Sequence, residues 1–269
     1  MHLKRWLTSL VLIPVPVSLL FLGGEHLFPL FVALVCALSL CEYYRIVRPD
    51  GEDRLFRTIS AWGIGMGSIL VLSVHFLPLP WLLFFFSISL ILPAWMCMRR
   101  FEADAGIPSM LAFHTLAMGY IPLALASYIL VFHADGGPRW IFQILCVVSA
   151  GDVGAYYVGT LWGRRKLCPL VSPGKTVEGS LGGLAANLVV GMVLGGYLLP
   201  SLLSVKGAIF FVALGVAGQI GDLFESMLKR SAGMKDSGRL LPGHGGLLDR
   251  IDALLFAAPV ALVMVVYVY

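Results

Sequence analysis

Long apolar segments fill most of this 269-residue chain, and short polar segments separate them. A helix needs about 20 mainly apolar residues to cross the hydrocarbon core of a bilayer. Segments of this kind lie at 6–22, 27–46, 57–74, 77–97, 107–132, 139–162, 180–200, 206–228 and 249–268. The pattern predicts an all-α polytopic membrane protein with about nine transmembrane helices.

The fifth segment, 107–132, is longer than one crossing needs and contains Pro122. Lys and Arg residues test how often it crosses, because they concentrate in cytoplasmic loops. With a single crossing or a re-entrant pair here, every Lys and Arg except Arg139 and Lys206 falls on one side. Two full crossings would remove this asymmetry. The bases therefore predict a cytoplasmic N-terminus and a C-terminus outside.

Composition supports a membrane protein without a separate soluble domain. Only 13% of the residues are charged, whereas soluble domains average about 25%. We expect one membrane domain spanning 1–269. Lys4, Arg5 and the apolar run after them resemble a signal peptide, but Pro14 and Pro16 interrupt that run, and we interpret it as a retained first span. The five cysteines form no CxxC pair, and we expect them to serve in packing.

Several acidic residues lie inside or at the ends of the predicted spans. A charge at the bilayer centre costs about 2.5–3.5 kcal/mol even on the mildest scale, so such residues usually serve a site. The first of them, Glu42, is one helical turn from Arg45, and a local ion pair is the expected explanation. The others are Asp152, Asp222, Glu225, Asp249 and Asp252.

The eighth predicted helix carries a polar face that changes from acidic to basic. Its residues occupy positions i, i+3, i+4, i+7 and i+8 of one helix face: Asp222, Glu225, Ser226, Lys229 and Arg230. An intrahelical salt bridge from Asp222 or Glu225 to Lys229 would explain part of it. It would leave the following segment unexplained.

A glycine-rich segment follows this helix. It contains Lys235 and Asp236, then His244, Gly245 and Gly246, and then Asp249, Arg250 and Asp252 at the start of the ninth predicted helix. Glycines permit tight turns and a close approach of backbone to an anion. Mg²⁺ is commonly held by one or two carboxylates together with substrate phosphates. The segment is therefore a candidate polyphosphate and metal site.

A second cluster lies upstream. Asp152 and Tyr156 share a helix face with Gly159 and Gly163, and bases follow at Arg164, Arg165 and Lys166. Ser172 followed by Pro173 is typical of an N-cap and a first helical residue. Gly174, Lys175 and Thr176 resemble the end of a P-loop, but Pro169 stands where its first glycine is needed, which excludes that motif. Glu178 completes the cluster.

Together the two clusters make the sequence resemble the phosphatidate cytidylyltransferases, also called CDP-diacylglycerol synthases. The family motif begins with S-x-x-K-R, continues through K-D and ends with H-G-G-x-x-D-R-x-D. The residues that match it are Ser226, Lys229, Arg230, Lys235, Asp236, Gly238, Leu241, Pro242, His244, Gly245, Gly246, Asp249, Arg250 and Asp252. The upstream Asp152, Tyr156, Gly159 and S-P-x-K-T-x-E-G run are also similar, while Gly174 departs from a frequent Lys.

The resemblance implies that the phosphate of phosphatidic acid attacks the α-phosphorus of CTP, which yields CDP-diacylglycerol and pyrophosphate. It implies Mg²⁺ on Asp222 and Asp249, with Asp252 and Glu225 as supporting or second-cation ligands. His244 as a general base is disfavoured, because phosphatidate is already an anion. The bases expected to neutralise the phosphates are Lys175, Lys229, Arg230, Lys235 and Arg250. The expected catalytic residues are Asp222, Lys229, Arg230, Lys235, Asp236, His244, Asp249 and Arg250. The residues expected to bind substrate are Asp152, Tyr156, Ser172, Thr176, Glu178, Ser226, Gly245 and Gly246.

On this interpretation, residues 1–133 are scaffold helices and 139–269 hold the catalytic helices and cytoplasmic loops. The expected location is a bacterial inner membrane, with the site on its cytoplasmic side. No nucleic-acid partner is expected, and a homodimer remains open. One alternative is a CTP-dependent kinase of polyprenols or other lipids. An ion-coupled transporter is a second, less favoured because the acids lie beside a glycine-rich loop near the cytoplasmic end.

Overall fold

The computed structural model describes residues 14–48, 53–100, 106–243 and 245–268. Its helices are α1 Pro14–Leu22, α2 Gly24–Val47, α3 Arg54–Phe76, α4 Pro80–Arg99, α5 Gly106–Tyr120, α6 Pro122–His133, α7 Gly137–Trp162, α8 Val177–Leu198, α9 Val205–Ser231 and α10 Leu248–Tyr267. A hairpin of β1 Lys166–Cys168 and β2 Ser172–Thr176 joins α7 to α8, and a 3-10 turn, Pro200–Leu202, precedes α9.

The described residues contain eight helical spans long and apolar enough to cross a membrane. This confirms the predicted all-α polytopic class. The predicted first span, 6–22, lies partly outside the described residues, and α1 is a nine-residue helix within it. The orientation of the termini stays a prediction.

The predicted segment 107–132 forms α5 and α6, which together count as one span, Gly106–His133. The interruption lies at Ile121, because Pro122 has no N–H to donate and favours a helix start. Backbone bonds still cross it: the Ile121 N–H donates to Ala117 at 3.1 Å and the Leu125 N–H to Ile121 at 3.0 Å. A single kinked span agrees with the distribution of bases.

The chain forms two compact units. The described residues of 1–129 and 236–249 form the first unit, and those of 130–235 and 250–269 form the second. The glycine-rich segment 236–249 thus belongs with N-terminal helices, although the sequence grouped it with the C-terminal ones. The single membrane domain spanning 1–269 stays a prediction.

A buried polar chain links three helices of the first unit. The Tyr44 hydroxyl lies 2.8 Å from Nδ1 of His114, whose Nε2 lies 2.8 Å from the Ser89 carbonyl oxygen. A Cβ at Gly63 would lie only 2.0 Å from the Tyr44 hydroxyl. Polar groups buried in this way require partners, so the N-terminal helices are fixed by specific contacts as well as by apolar packing.

Glycines let α7 and α8 of the second unit approach closely. A Cβ at Gly179 would lie 3.1 Å from the Cα of Gly159, and one at Gly182 would lie 2.4 Å from Val158. Small residues thus permit close packing of these two helices. The packing places the first turn of α8 beside the last turns of α7.

The β-hairpin between these helices was not predicted. Lys166 pairs with Thr176 and Cys168 with Ser172 in antiparallel register. The expected helix start at Ser172 and Pro173 is wrong, because both residues lie in β2. Thr176 is the true N-cap, and its Oγ1 accepts the Gly179 N–H at 3.1 Å.

Candidate active site

A cavity of about 490 Å³ lies in the second unit, between α7, the hairpin, the first turn of α8 and α9. Small-molecule sites commonly enclose about 300–1,000 Å³. The polar residues that line it are Asp152, Tyr156, Thr160, Lys166, Ser172, Lys175, Thr176, Ser180, Gln219 and Asp222. The sequence-predicted residues Asp152, Tyr156, Ser172, Lys175, Thr176 and Asp222 therefore come together here.

The cavity contains an ion pair between the hairpin and α9. The Lys175 ammonium donates to Oδ2 of Asp222, and the Ser226 hydroxyl donates to Oδ1 of Asp222 at 3.3 Å. The side chains of Lys175 and Asp222 are 28% and 31% exposed, respectively. An ammonium has three N–H donors, and Asp222 accepts from one of them. The other N–H donors of Lys175 can therefore be offered to a ligand in the cavity.

Three carboxylates of the second unit lie close enough for their charges to repel one another. They belong to Asp152 on α7, Asp222 on α9 and Asp252 on α10. Over the described part of the chain, no three His, Cys, Asp or Glu side chains are arranged to hold a metal ion. Mg²⁺ prefers oxygen ligands and needs few from protein when phosphates supply the rest. The donor chemistry therefore fits Mg²⁺ bound together with a polyphosphate.

A second ion pair lies within α9, from Lys229 to Glu225 one turn before it. The Glu225 side chain is fully buried, and that of Lys229 is 12% exposed. This confirms the predicted intrahelical salt bridge for part of the polar face. The pairing indicates a structural role for both residues, and their roles at a metal or a phosphate stay predictions.

Two predicted site residues, Glu178 and Arg230, form hydrogen bonds to backbone groups in and near the hairpin. The Glu178 carboxylate accepts the backbone N–H of Arg164 at 2.9 Å and that of Arg165 at 3.1 Å. Arg230 donates to the carbonyl oxygens of Val171 at 3.4 Å and Met234 at 3.3 Å. Both residues therefore hold the segment that carries Lys175.

The sequence did not identify the polar pair of Ser180 and Gln219. The Ser180 hydroxyl donates to Oε1 of Gln219, and Nε2 of Gln219 donates to the Ser180 carbonyl at 3.0 Å. These bonds fix the amide orientation in the cavity wall. A signal was available, because Gln219 precedes Asp222 by three residues and so continues the same helix face.

The glycine-rich segment of the first unit closes around Asp249. The Asp249 carboxylate accepts the backbone N–H of Gly246 at 2.8 Å and that of Ser237 at 3.0 Å. Gly243 and Gly245 have φ of +79° and +84°, which residues with a side chain rarely adopt. The segment therefore forms a tight turn at the start of α10, as the sequence predicted. His244 lies outside the described residues.

The predicted ion pair of Glu42 with Arg45 is wrong. Within the described ranges Glu42 has no ion-pair partner, and its carboxylate faces the start of α10. It accepts the N–H of Leu247 at 3.0 Å, the N–H of Leu248 at 2.8 Å and the Ser237 hydroxyl at 3.0 Å. Hydrogen-bond donors distant in sequence thus satisfy the Glu42 carboxylate, and the spacing of residues along α2 did not indicate these donors.

The remaining predicted residues divide between the units. In the first, Asp236 is exposed and Gly246 is buried beside Ser237. In the second, Lys235 and Arg250 are exposed, and Oδ1 of Asp252 accepts the Ala253 N–H at 2.8 Å. The structure therefore assembles two groups of predicted site residues, one in each unit.

Comparison with known proteins extends over the whole chain. The sequence model of the "Cytidylyltransferase family" matches residues 3–268. A protein of Synechocystis sp. named phosphatidate cytidylyltransferase is 33% identical, with 99% of this chain and 97% of that protein aligned. A protein of the same name from Pseudomonas aeruginosa is 34% identical, with 96% of this chain and 94% of that protein aligned. Another from Staphylococcus haemolyticus is 33% identical, with 97% of this chain and 98% of that protein aligned. The chain therefore belongs to the cytidylyltransferase family.

Proposed function

We propose that the chain transfers the cytidylyl group of CTP to phosphatidic acid, which yields CDP-diacylglycerol and pyrophosphate. The near full-length similarity to proteins named phosphatidate cytidylyltransferase supports this. The observation that carries the proposal is the Lys175–Asp222 pair in the wall of the 490 Å³ cavity. It offers a cation to phosphates and a carboxylate to a metal in one place.

In this reaction an oxygen of the lipid phosphate forms a bond to the α-phosphorus of CTP. The bond from that phosphorus to the oxygen bridging to the β-phosphate breaks, and pyrophosphate leaves with its electron pair. The attacking oxygen is already anionic, so no general base is required. Phosphoryl-type transfer is mainly positioning and electrostatic stabilisation, and Lys175 and Lys166 in the cavity wall would supply positive charge.

Asp222 is the residue best placed to hold Mg²⁺ in the cavity, with Asp152 and Asp252 near it. Bound there, Mg²⁺ would neutralise phosphate charge and orient the triphosphate. A metal-binding role for Asp249 stays a prediction, and its carboxylate already accepts two backbone N–H groups. Lys175 would be freed from Asp222 to contact phosphate.

We further propose that this multi-pass protein works in a bacterial inner membrane and binds CTP from the cytoplasm. The bases Arg164, Arg165, Lys166 and Lys175 support a cytoplasmic hairpin, because such residues are enriched in cytoplasmic loops. Phosphatidate would enter from the bilayer. The homodimer, the absence of a nucleic-acid partner and a second cation stay predictions.

The test is incubation of the purified protein in detergent with CTP, phosphatidate and Mg²⁺, followed by identification of both products. We expect CDP-diacylglycerol and pyrophosphate in equal amounts. Formation of CDP with a newly phosphorylated lipid would instead identify a lipid kinase. Uptake of a labelled solute by liposomes lacking CTP, with neither product formed, would favour a transporter.

A further inference from the structure

The hydrogen bonds around Glu42 on α2 have no role in the reaction as described above. Its side chain is 3% exposed, and each of its hydrogen bonds described above comes from the segment 237–248. Oε1 accepts the Leu247 N–H, whereas Oε2 accepts both the Leu248 N–H and the Ser237 hydroxyl. A single carboxylate from an N-terminal helix therefore binds both ends of the glycine-rich turn.

The donors explain why an acid is stable at this position. The first N–H groups of a helix have no partner within the helix, and the N-terminal end carries partial positive charge. Glu42 accepts two of these groups at the start of α10, and the Ser237 hydroxyl accepts a third, from Asp249, at 3.3 Å. Hydrogen bonds to an ionised acceptor are stronger than neutral ones. Glu42 thus satisfies the helix start in place of a local cap.

Ser237 connects Glu42 to Asp249. Its hydroxyl donates to Glu42 and accepts the Asp249 N–H, while its backbone N–H donates to the Asp249 carboxylate. No space remains for a side chain at Gly246, because a Cβ there would lie 2.0 Å from the Ser237 Oγ and 2.5 Å from Oε2 of Glu42. The orientation of Asp249 is therefore coupled to Glu42 through one hydroxyl.

We propose that Glu42 is a positioning residue for cytidylyl transfer: it fixes the turn 237–248 and, through Ser237, the Asp249 carboxylate. The inference rests on the proposed function, since it assigns Glu42 to the same reaction. Glu42 touches no substrate in this account. It acts through the backbone that it holds.

The decisive variant is Glu42→Gln, which keeps the side-chain shape but replaces one acceptor oxygen with an NH₂ donor. That donor would face N–H or O–H groups, so at least one hydrogen bond is lost. Removing partners that orient a ligand typically costs about 10–100-fold in activity or affinity. We expect kcat to fall by about this factor, with hydrogen–deuterium exchange across 237–248 faster by about tenfold or more. Glu25→Gln is the matched control, because Glu25 is exposed on the same helix.

Support for the inference requires both faster exchange and a lower kcat, and either readout at its wild-type value overturns it. Wild-type exchange in Glu42→Gln contradicts it whatever the activity, and so does faster exchange with wild-type kcat. If Glu42→Gln does not fold, Ser237→Ala decides, because it removes only the connecting hydroxyl; wild-type exchange or wild-type kcat would again contradict the inference. A wild-type protein that makes no CDP-diacylglycerol would refute the proposed function instead, and that result does not depend on the exchange data.

Discussion

Replacing Lys175 with alanine removes one of the two hairpin lysines, Lys166 and Lys175, that line the cavity. In the structure the Lys175 ammonium contacts Asp222, while its two other donors can reach a ligand. A triphosphate and a lipid phosphate bring several negative charges into this space. We therefore expect the substitution to weaken transition-state stabilisation much more than it weakens the fold.

Typical interaction energies support a larger effect on catalysis than on the stability of the fold. Hydrogen bonds to charged groups contribute roughly 1.5–3 kcal/mol, and about 1.36 kcal/mol corresponds to a factor of ten. The expected loss in kcat/KM for CTP is therefore about 10- to 150-fold. The ion pair itself is about one-third exposed, so its contribution to stability is at most about 1 kcal/mol.

The assay is steady-state turnover of Lys175→Ala in detergent, with CTP varied at saturating phosphatidate. Thermal unfolding of the same sample checks that the fold is retained. Lys206→Ala is the matched control, because Lys206 lies near the start of α9 and does not line this cavity. A kcat/KM within about twofold of wild type would refute the assignment of Lys175 to the phosphates.

Three further predictions concern the turn, the cavity wall and the metal. Gly246→Ala should reduce activity at least tenfold, because its Cβ would lie 2.0 Å from the Ser237 Oγ; Gly65→Ala has open space and should retain activity. Gln219→Ala should raise KM for CTP with little change in stability, and an unchanged KM would place the Ser180–Gln219 pair outside the nucleotide site. Chelation with EDTA should abolish turnover and added Mg²⁺ should restore it, whereas full turnover in EDTA would contradict the metal proposal.

The sequence predicted the features that depend on local spacing. Apolar length identified the spans, and the bases favoured a single crossing or a re-entrant pair for the segment around Pro122, which forms one span. Helical spacing placed Asp222 and Ser226 on one face, and they are hydrogen-bonded in the structure. Asp152 and Tyr156 likewise line one cavity with Gly159 and Gly163.

Features that depend on distant partners were missed. Glu42 lies 195 positions from Ser237 and 206 from Leu248, so no local pattern connects them. The strands of the hairpin have three and five residues, and β2 contains Pro173 and Gly174. Strands this short are determined by pairing rather than by alternation. The same pairing decides that Thr176, rather than Ser172, caps α8.

The most direct test of the central claim uses two preparations of CTP, one labelled at the α-phosphate and one at the γ-phosphate. Each is incubated with the wild-type protein, phosphatidate and Mg²⁺, and label is measured in the lipid and aqueous phases. We expect the α-label to enter the lipid and the γ-label to leave as pyrophosphate. Label in the lipid from γ-labelled CTP, with the α-label retained in CDP, would contradict it.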